Sequence, residues 1–238
     1  LVVPRTAVAV LTRHPWKGHR WAAAYAADPA DPAHVAAAVE LAVELIDRSS
    51  SGVPAKGITV PRGGIPLMPE HLRPVSYNDW DCWSTTVAPA ASSSAYGDAA
   101  RVVDVAADDP RLAQLLAIAS PDAPYPAGDP RVVRWAVVED PEGGLPRTGG
   151  LAAMLAVTRQ ASGAAHLNDV ATHPERRGKA LARLLCGTVT TQALADGAPA
   201  VTLDMYASND VARRLYTGLG FVWGRGNSSG LLPAQHRG

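Results

Sequence analysis

The chain has 238 residues, of which 47% are hydrophobic and 18% charged, so it can bury one large core or two small ones. Lysine plus arginine equal aspartate plus glutamate at 22 each, and this balance argues against a general nucleic-acid binder or membrane-surface protein. No apolar run reaches the roughly eighteen residues of a membrane span, and no signal peptide is recognised, so we expect a cytoplasmic protein.

The first hundred residues give a few separate signals. A strand is predicted over residues 6–11, and Asp31-Pro32 predicts the start of an amphipathic helix that ends near Asp47. A second short strand is predicted over residues 57–60. A Pro-rich, irregular stretch follows it. These signals indicate a small α/β domain but do not define its fold.

The segment Asp79-Trp80-Asp81-Cys82-Trp83 has two interpretations. Its carboxylates and aromatic faces suit a pocket for a cationic amine, whereas its tryptophans equally suit the core of a small domain. A low-complexity stretch over residues 88–94 comes next and predicts a domain boundary. We therefore predict a divergent N-terminal α/β domain over residues 1–98 and a second domain over residues 99–238.

The second domain has a clearer pattern. Strands are predicted over residues 101–106, 132–138, 151–157 and 165–172, and Asp109-Pro110 caps a helix after the first of them. Short links between the later strands predict an antiparallel meander. A helix separates the strand ending at Thr172 from a strand over residues 201–206. That crossover predicts a parallel pair.

Residues 167–182 join a strand, a charged turn and a helix in immediate succession. The first N–H groups of such a helix have no intrahelical partner and lie at the positive end of its dipole. Arg176, Arg177 and Lys179 add positive charge. The stretch therefore predicts an oxyanion site, most economically for a phosphate.

A second informative stretch follows the strand over residues 201–206. Asn209 stands where a helix would be capped, Tyr216 lies at helical spacing behind it, and Gly220-Phe221 ends the helix. Helix capping is one role for Asn209, and packing against the sheet is one role for Tyr216. Neither role needs a ligand.

The two stretches together resemble the GNAT superfamily of acyl-CoA-dependent N-acyltransferases, over roughly residues 101–238. Residues 177–182 are similar to its pyrophosphate loop, Q/R-x-x-G-x-G/A, with Ala180 where the family prefers Gly. An alternative register starts the loop at Glu175. Backbone amides form the site, so Ala180 is tolerable there on the condition that its φ is negative. The late stretch fills every place of N-x-x-A-x-x-x-Y-x-x-x-G-F, from Asn209 to Phe221.

The resemblance implies an α/β fold, namely a mixed, mostly antiparallel sheet with a splayed parallel strand pair and flanking helices. For the divergent N-terminal domain, tandem members of the superfamily suggest a reduced second copy of the same fold. The donor would be acetyl-CoA, with no metal, and the histidines show no metal-ligand spacing. The residues implied to bind the donor are Val170, Ala171, Thr172, Arg177, Gly178, Lys179, Ala180, Leu181, Ala182 and Asn209.

The implied chemistry is attack of an amine on the thioester, with Tyr216 as the general acid that protonates the leaving thiolate. Asp169 is the candidate base, because burial in the strand would raise its pKa. A structural role at the end of the strand is the alternative interpretation of Asp169, and His166 and His173 are alternative bases.

The acceptor is expected to be a small-molecule amine or a peptide N-terminus, without nucleic acid or membrane as partner. We also consider a homodimer. A non-catalytic acyl-CoA-binding or regulatory module is the alternative function. Another kind of nucleotide-binding protein is a third, although the turn lacks the G-K-[ST] ending of a P-loop.

Overall fold

The computed structural model describes residues 6–13, 18–49 and 54–233. The strands in chain order are β1 (Ala7–Arg13), β2 (Arg20–Ala26), β3 (Gly57–Pro61), β4 (Tyr77–Thr85), β5 (Val102–Val105), β6 (Val132–Glu139), β7 (Leu151–Arg159), β8 (Ala165–Thr172), β9 (Val201–Tyr206) and β10 (Val222–Leu231). The helices are α1 (Pro32–Ser49), α2 (Pro110–Ala119), α3 (Leu181–Ala195) and α4 (Asp210–Thr217).

The chain forms two compact units that are not continuous in sequence. The first contains residues up to Cys82, residues 205–210 and the chain from Trp223 onward, and the second contains residues 83–204 and 211–222. The predicted domain boundary between residues 98 and 99 stays a prediction. No helix in the described ranges is long and apolar enough to cross a membrane.

The first unit has the strand order β1-β2-β3-β10-β4. The β1/β2 and β3/β10 pairs are antiparallel, while β2 and β3 are parallel and are joined by α1. As predicted, Asp31 caps α1, since its carboxylate accepts a hydrogen bond of 2.8 Å from the Ala33 N–H. The inner face of α1, including Val39 and Ile46, packs with Ile58 of β3 in one apolar cluster.

The second unit has the strand order β5-β6-β7-β8-β9. The first three pairs are antiparallel and β8/β9 is parallel, which confirms the predicted meander and crossover. Asp109 caps α2, as predicted, by accepting a 2.9 Å hydrogen bond from the Arg111 N–H. The mixed sheet with flanking helices confirms the predicted fold class.

Both faces of the second unit's sheet are covered around β7. Leu112 and Leu115 of α2 pack in one apolar cluster with Trp135 and Met154 of the sheet, and α3 also packs on β6, β7 and β8. Residues 151–158 of β7 are all buried, as expected for a strand covered on two sides. This central strand supports β8, which carries the predicted site.

Helix α4 ends in a Schellman motif. Gly220 adopts φ +81°, its N–H donates to the Thr217 carbonyl, and the Phe221 N–H donates to the Tyr216 carbonyl, both at 3.0 Å. The Tyr216 and Phe221 rings lie 5.8 Å apart and supply the apolar contact that accompanies this cap. The spacing Y-x-x-x-G-F is therefore the spacing of a helix terminus.

Candidate active site

Strand β8 contains a β-bulge at the predicted base. Ala171 pairs with Met154 and Asn168 pairs with Ala156, so Asp169 and Val170 together face a single residue of β7. Asp169 has φ +50°, a left-handed conformation that aspartate tolerates better than most residues. The bulge turns the backbone of β8 locally away from regular pairing.

The parallel pairing between β8 and β9 ends just before this bulge. Within the described ranges, the register joins Ala165–Leu167 to Val201–Leu203 and goes no further. The remainder of β8, from Asn168 to Thr172, continues beside β7 while its other edge leaves the ladder. Its backbone N–H and C=O groups on that edge are those that an extended ligand chain can pair with.

The turn after β8 leads into α3 without a side-chain cap. Ala180 occupies the N-cap position with φ +58° and ψ 21°, and its side chain makes no capping hydrogen bond. The condition of a negative φ, under which Ala180 is tolerable, is therefore not met. This is the left-handed region, which costs an alanine about 1–2 kcal/mol and explains why glycine suits the position. Gly178, two residues earlier, also has a positive φ of +76°.

The cations of this turn divide into two kinds. Arg177 and Lys179 are exposed. Arg176 instead forms an ion pair with Asp140, with Nε–Oδ1 of 2.7 Å, and the Asp140 side chain is 1% exposed. Arg176 also donates to the Gly143 carbonyl at 3.0 Å. Its predicted contribution to the charge beside the helix is thus neutralised, and its role is to tie the turn to the link between β6 and β7.

Residues 92–96, at the end of the low-complexity segment and just after it, lie against the same turn and against α3. The Ala95 N–H donates to the Lys179 carbonyl at 3.0 Å. Further along α3, a Cβ built on Gly187 would lie 2.6 Å from the Ser92 hydroxyl oxygen, so a larger residue there would force Ser92 to move. The Lys179 ammonium lies 6.0 Å from the centre of the Tyr96 ring. These contacts hold the turn from a second side, and no local signal in the sequence indicates them.

Tyr216, the candidate acid, is 6% exposed and lies on α4. Burial raises the pKa of its hydroxyl well above the usual value, and the buried Cys186 thiol of α3 contributes to the shift. Burial likewise raises the pKa of Cys186 to about 12, so this thiol stays protonated at neutral pH. Tyr216 is therefore a neutral phenol that can donate a proton but not accept one.

Asp169, the candidate base, is half-buried at the bulge. Its Oδ2 accepts a hydrogen bond of 3.1 Å from the Tyr125 N–H. The pKa of Asp169 is raised to about 6. Burial is the main cause and the Asp129 carboxylate adds to it, while the hydrogen bond from the Tyr125 N–H acts in the opposite direction. The carboxylate is ionised at neutral pH, yet it is a stronger base than an exposed aspartate.

The two alternative bases have structural partners. His166 Nδ1 lies 2.8 Å from the Thr202 hydroxyl of β9, and burial lowers the pKa of His166, so the ring stays neutral. His173 is buried, and its Nδ1 accepts the Glu175 N–H at 3.3 Å, which caps the short turn at Pro174–Arg176. Both rings stabilise the strand ends that surround the bulge.

Eleven of the twelve predicted site residues lie in the second compact unit. Asp169, Val170, Ala171 and Thr172 form the open half of β8, and the residues of the following turn and helix start are Arg177, Gly178, Lys179, Ala180, Leu181 and Ala182. Tyr216 packs near α3. Asn209 directly precedes α4 and belongs to the first unit. Within the described ranges, no group of three or more His, Cys, Asp and Glu side chains is placed to hold a metal ion.

Comparisons with known proteins address this site directly. The model of the Acetyltransferase (GNAT) family matches residues 110–221, which include β8, the turn, α3 and α4. No protein of curated function matches the sequence.

Solved structures share the fold. A GCN5-related N-acetyltransferase from Sphaerobacter thermophilus superposes with a TM-score of 0.61 at 16% identity, over 97% of this chain and 78% of its own. A GNAT-family protein from Novosphingobium aromaticivorans gives a TM-score of 0.56 at 24% identity, over 90% and 84% of the two chains. A GCN5-related N-acetyltransferase from Kribbella flavida gives 0.53 at 21% identity, over 90% and 82%.

The family match covers both motifs that carried the resemblance, and the solved structures share the architecture that the resemblance implied. The resemblance predicted from the sequence is thereby confirmed for the second domain. Residues 110–221 therefore carry a domain that matches the GNAT acetyltransferase family, and this match supports an acyl-CoA-dependent N-acyltransferase.

Proposed function

We propose that the chain transfers an acetyl group from acetyl-CoA to an amine by direct attack, with Asp169 as base and Tyr216 as acid. The observation that carries the proposal is the sequence of features along β8. The strand leaves its ladder with β9 after Leu167, bulges at Asp169, and runs into an uncapped helix N-terminus at Ala180. An extended pantetheine arm that leads into a diphosphate fits that order, with the arm along the free edge of β8 and the diphosphate at the start of α3.

The residues present fit the donor in its two recognisable parts. The free edge formed by Val170, Ala171 and Thr172 offers backbone groups to the amide-bearing pantetheine arm. The N–H groups at the start of α3 offer donors to the pyrophosphate, and the exposed side chains of Arg177 and Lys179 add positive charge. Asn209, just before α4, is proposed as a further contact to the pantetheine.

The base must remove a proton from the attacking ammonium. Asp169 is ionised above its pKa of about 6, which makes it able to accept that proton directly or through a water molecule. The nitrogen lone pair then forms the C–N bond of a tetrahedral intermediate, whose nitrogen carries one surplus proton. Loss of that proton to solvent and collapse of the intermediate, which breaks the C–S bond, give the neutral amide and the thiolate.

The leaving thiolate must be protonated. The Tyr216 hydroxyl carries such a proton, because burial keeps it neutral at physiological pH, although the same raised pKa makes it a weaker acid than an exposed phenol. A positioned proton donor of this kind contributes about 10²–10⁴-fold to the rate. The same ring also packs against Phe221 at the end of α4, so a purely structural role makes a different, testable prediction.

Replacement of Tyr216 by phenylalanine separates the two roles. Phenylalanine keeps the ring and its contact with Phe221 but removes the hydroxyl. We expect turnover, followed as release of free CoA thiol with a panel of amines, to fall at least about tenfold. The affinity for acetyl-CoA, measured by calorimetry, should change little. Unchanged turnover would remove Tyr216 from the chemistry.

Two further proposals concern the acceptor and the cellular location. We propose a small-molecule amine or a peptide N-terminus as acceptor, with a cytoplasmic location, which suits an acetyl-CoA donor. A homodimer and the absence of nucleic-acid and membrane partners stay predictions. If acetyl-CoA binds but no amine in the panel releases thiol, the non-catalytic acyl-CoA-binding module becomes the better interpretation.

A further inference from the structure

Two consecutive residues before β5 contact the two ends of Lys179. The Ala95 N–H donates to the Lys179 carbonyl at 3.0 Å. The Lys179 ammonium lies 6.0 Å from the centre of the Tyr96 ring. This distance is at the limit of about 6 Å within which the face of an aromatic ring attracts a cation. The backbone and the side chain of Lys179 are therefore both held by residues 95 and 96.

The position of Lys179 gives these contacts a consequence for anion binding. Lys179 directly precedes Ala180, the N-cap residue of α3, and its side chain is exposed. An exposed lysine side chain that is ordered only when its ligand arrives loses rotamer freedom at that moment. An earlier contact with a ring reduces this loss, so it favours binding of an anion at the start of α3.

The segment that carries Tyr96 is itself fixed. The Tyr96 N–H donates to the Ser94 hydroxyl at 3.2 Å, and the Gly97 N–H donates to the Ser94 carbonyl at 3.1 Å. Ser92 lies so close to α3 that a Cβ built on Gly187 would be 2.6 Å from its hydroxyl oxygen. The ring is thus attached to α3 about two turns beyond the helix start.

The hydroxyl end of Tyr96 lies among charged groups below the turn. Its oxygen is shielded from solvent, and its charged neighbours are Glu142, Arg176 and Asp140. Loss of solvent is the main reason why the pKa of Tyr96 is raised, and the Glu142 carboxylate adds to it, so the phenol is neutral at physiological pH. Arg176 and Asp140 form the ion pair that ties the turn to the link between β6 and β7. Tyr96 therefore joins this buried ion pair to an exposed cation of the turn.

We propose that Tyr96 is a positioning residue of the donor site. Its ring holds the Lys179 ammonium at the start of α3, where this cation contacts the diphosphate of the acyl donor. Tyr96 acts through Lys179 and not through its own contact with the donor. The inference rests on the proposed function, because it needs the donor at this turn. It predicts that the ring contributes to donor binding only while the Lys179 ammonium is present.

A double-mutant cycle tests this dependence on the full chain, with the affinity for acetyl-CoA measured by calorimetry. Tyr96→Leu removes the ring face and should weaken binding about two- to fivefold. Lys179→Met removes the ammonium but keeps an unbranched apolar side chain, and should weaken binding at least as much. Adding Tyr96→Leu to Lys179→Met should then have no further effect. A ring that only packs would give the same loss in both backgrounds.

Conservative and control variants complete the set. Tyr96→Phe keeps the ring face and should keep the affinity. Tyr77→Leu, the same substitution at a 46% exposed tyrosine of the first unit, should change nothing. Tyr96→Met is a second variant without a ring, for use if thermal unfolding shows that Tyr96→Leu does not fold.

The choice of ligand identifies the anion that Lys179 contacts. CoA and dephospho-CoA share the diphosphate, but dephospho-CoA lacks the 3′-phosphate. Tyr96→Leu should weaken the binding of both by the same factor. A loss that occurs with CoA and not with dephospho-CoA would place the ammonium at the 3′-phosphate and overturn the assignment.

Arg177→Glu separates failure of this inference from failure of the donor site. If Arg177→Glu weakens acetyl-CoA binding but Tyr96→Leu does not, the positioning role is refuted and the donor site stands. The same holds if Tyr96→Leu weakens binding equally with and without the Lys179 ammonium. If wild type does not bind acetyl-CoA, or Arg177→Glu binds it as wild type does, the donor site fails and the inference fails with it.

Discussion

Substitution of Ala180 tests the left-handed backbone conformation at the start of α3 most directly. It is a non-glycine residue with φ +58°, at the position where the family motif has glycine. Releasing an alanine from the left-handed region gains about 1–2 kcal/mol. Glycine costs about 0.5–1 kcal/mol in additional chain entropy. The variant Ala180→Gly should therefore be more stable by about 0.5–1 kcal/mol.

The assay is thermal and urea unfolding of the two proteins at pH 7. For a chain of this size, each kcal/mol moves Tm by about 2–4 °C, so we expect a rise of about 1–4 °C. The matched control is Ala182→Gly, the same substitution two residues later inside the first turn of α3. Glycine within a helix costs about 0.5–1 kcal/mol relative to alanine, so this variant should melt at a lower temperature.

The opposite signs of the two variants are the essential prediction. If Ala180→Gly lowers Tm as Ala182→Gly does, residue 180 is not left-handed in solution, and the described turn is wrong at that point. If neither variant changes Tm, the first turn of α3 is frayed in solution.

Two further predictions concern Asp169 and Asp140. Because burial raises the pKa of Asp169 to about 6, kcat/KM should rise with pH through that value, and Asp169→Asn should lose this limb of the pH–rate profile. The folded-state pKa is above the unfolded value of about 3.9, so wild type loses stability as pH rises from about 4 to 6. In urea unfolding, the stability of Asp169→Asn relative to wild type should accordingly increase as the pH is raised from 4.5 to 8. A stability difference that stays the same at every pH would contradict the burial of Asp169. Asp140→Asn leaves the Arg176 guanidinium without its 1% exposed partner and should lower the free energy of unfolding more than Glu142→Gln, whose side chain is 51% exposed. Equal effects of these two variants in urea unfolding would contradict the assigned ion pair.

Much of the second domain could be predicted because its signals are local. Asp109 caps α2 through its own side chain, and the Gly220-Phe221 pair ends α4 through a Schellman motif, so both helix ends follow from a few neighbouring residues. The crossover between β8 and β9 follows from the length of chain between them. Such features need no knowledge of distant residues.

The first domain was harder because its strands depend on distant partners. Strand β2 has the sequence RWAAAYA, and alanine favours helices, yet its residues pair with β1 on one side and with β3 on the other. Strand β4 carries Asp79 and Asp81, which both form ion pairs with Arg62 from the turn after β3. Neither strand was predicted from the sequence.

The sequence motifs of the candidate site could be recognised, whereas the distant residues that hold those motifs in place could not. The turn and the first residues of α3 carry a recognisable pattern, and that pattern is the reason why Arg177 and Gly178 are proposed as donor contacts. The buried partner of Arg176 is Asp140, far away in the sequence, and nothing local indicates it. Likewise, the left-handed conformation of Ala180 results from the turn as a whole, while its residue type predicted the opposite.

The most direct measurement is calorimetric titration of the purified chain with acetyl-CoA and with CoA. We expect micromolar binding, and Arg177→Glu should weaken it at least about tenfold, since a charge-assisted contact to the pyrophosphate becomes a repulsion. Arg101→Glu, the same charge reversal beside β5 at the far edge of this unit's sheet, should leave the affinity unchanged. Absence of binding at millimolar acetyl-CoA would contradict the assignment of the turn before α3 as a working donor site.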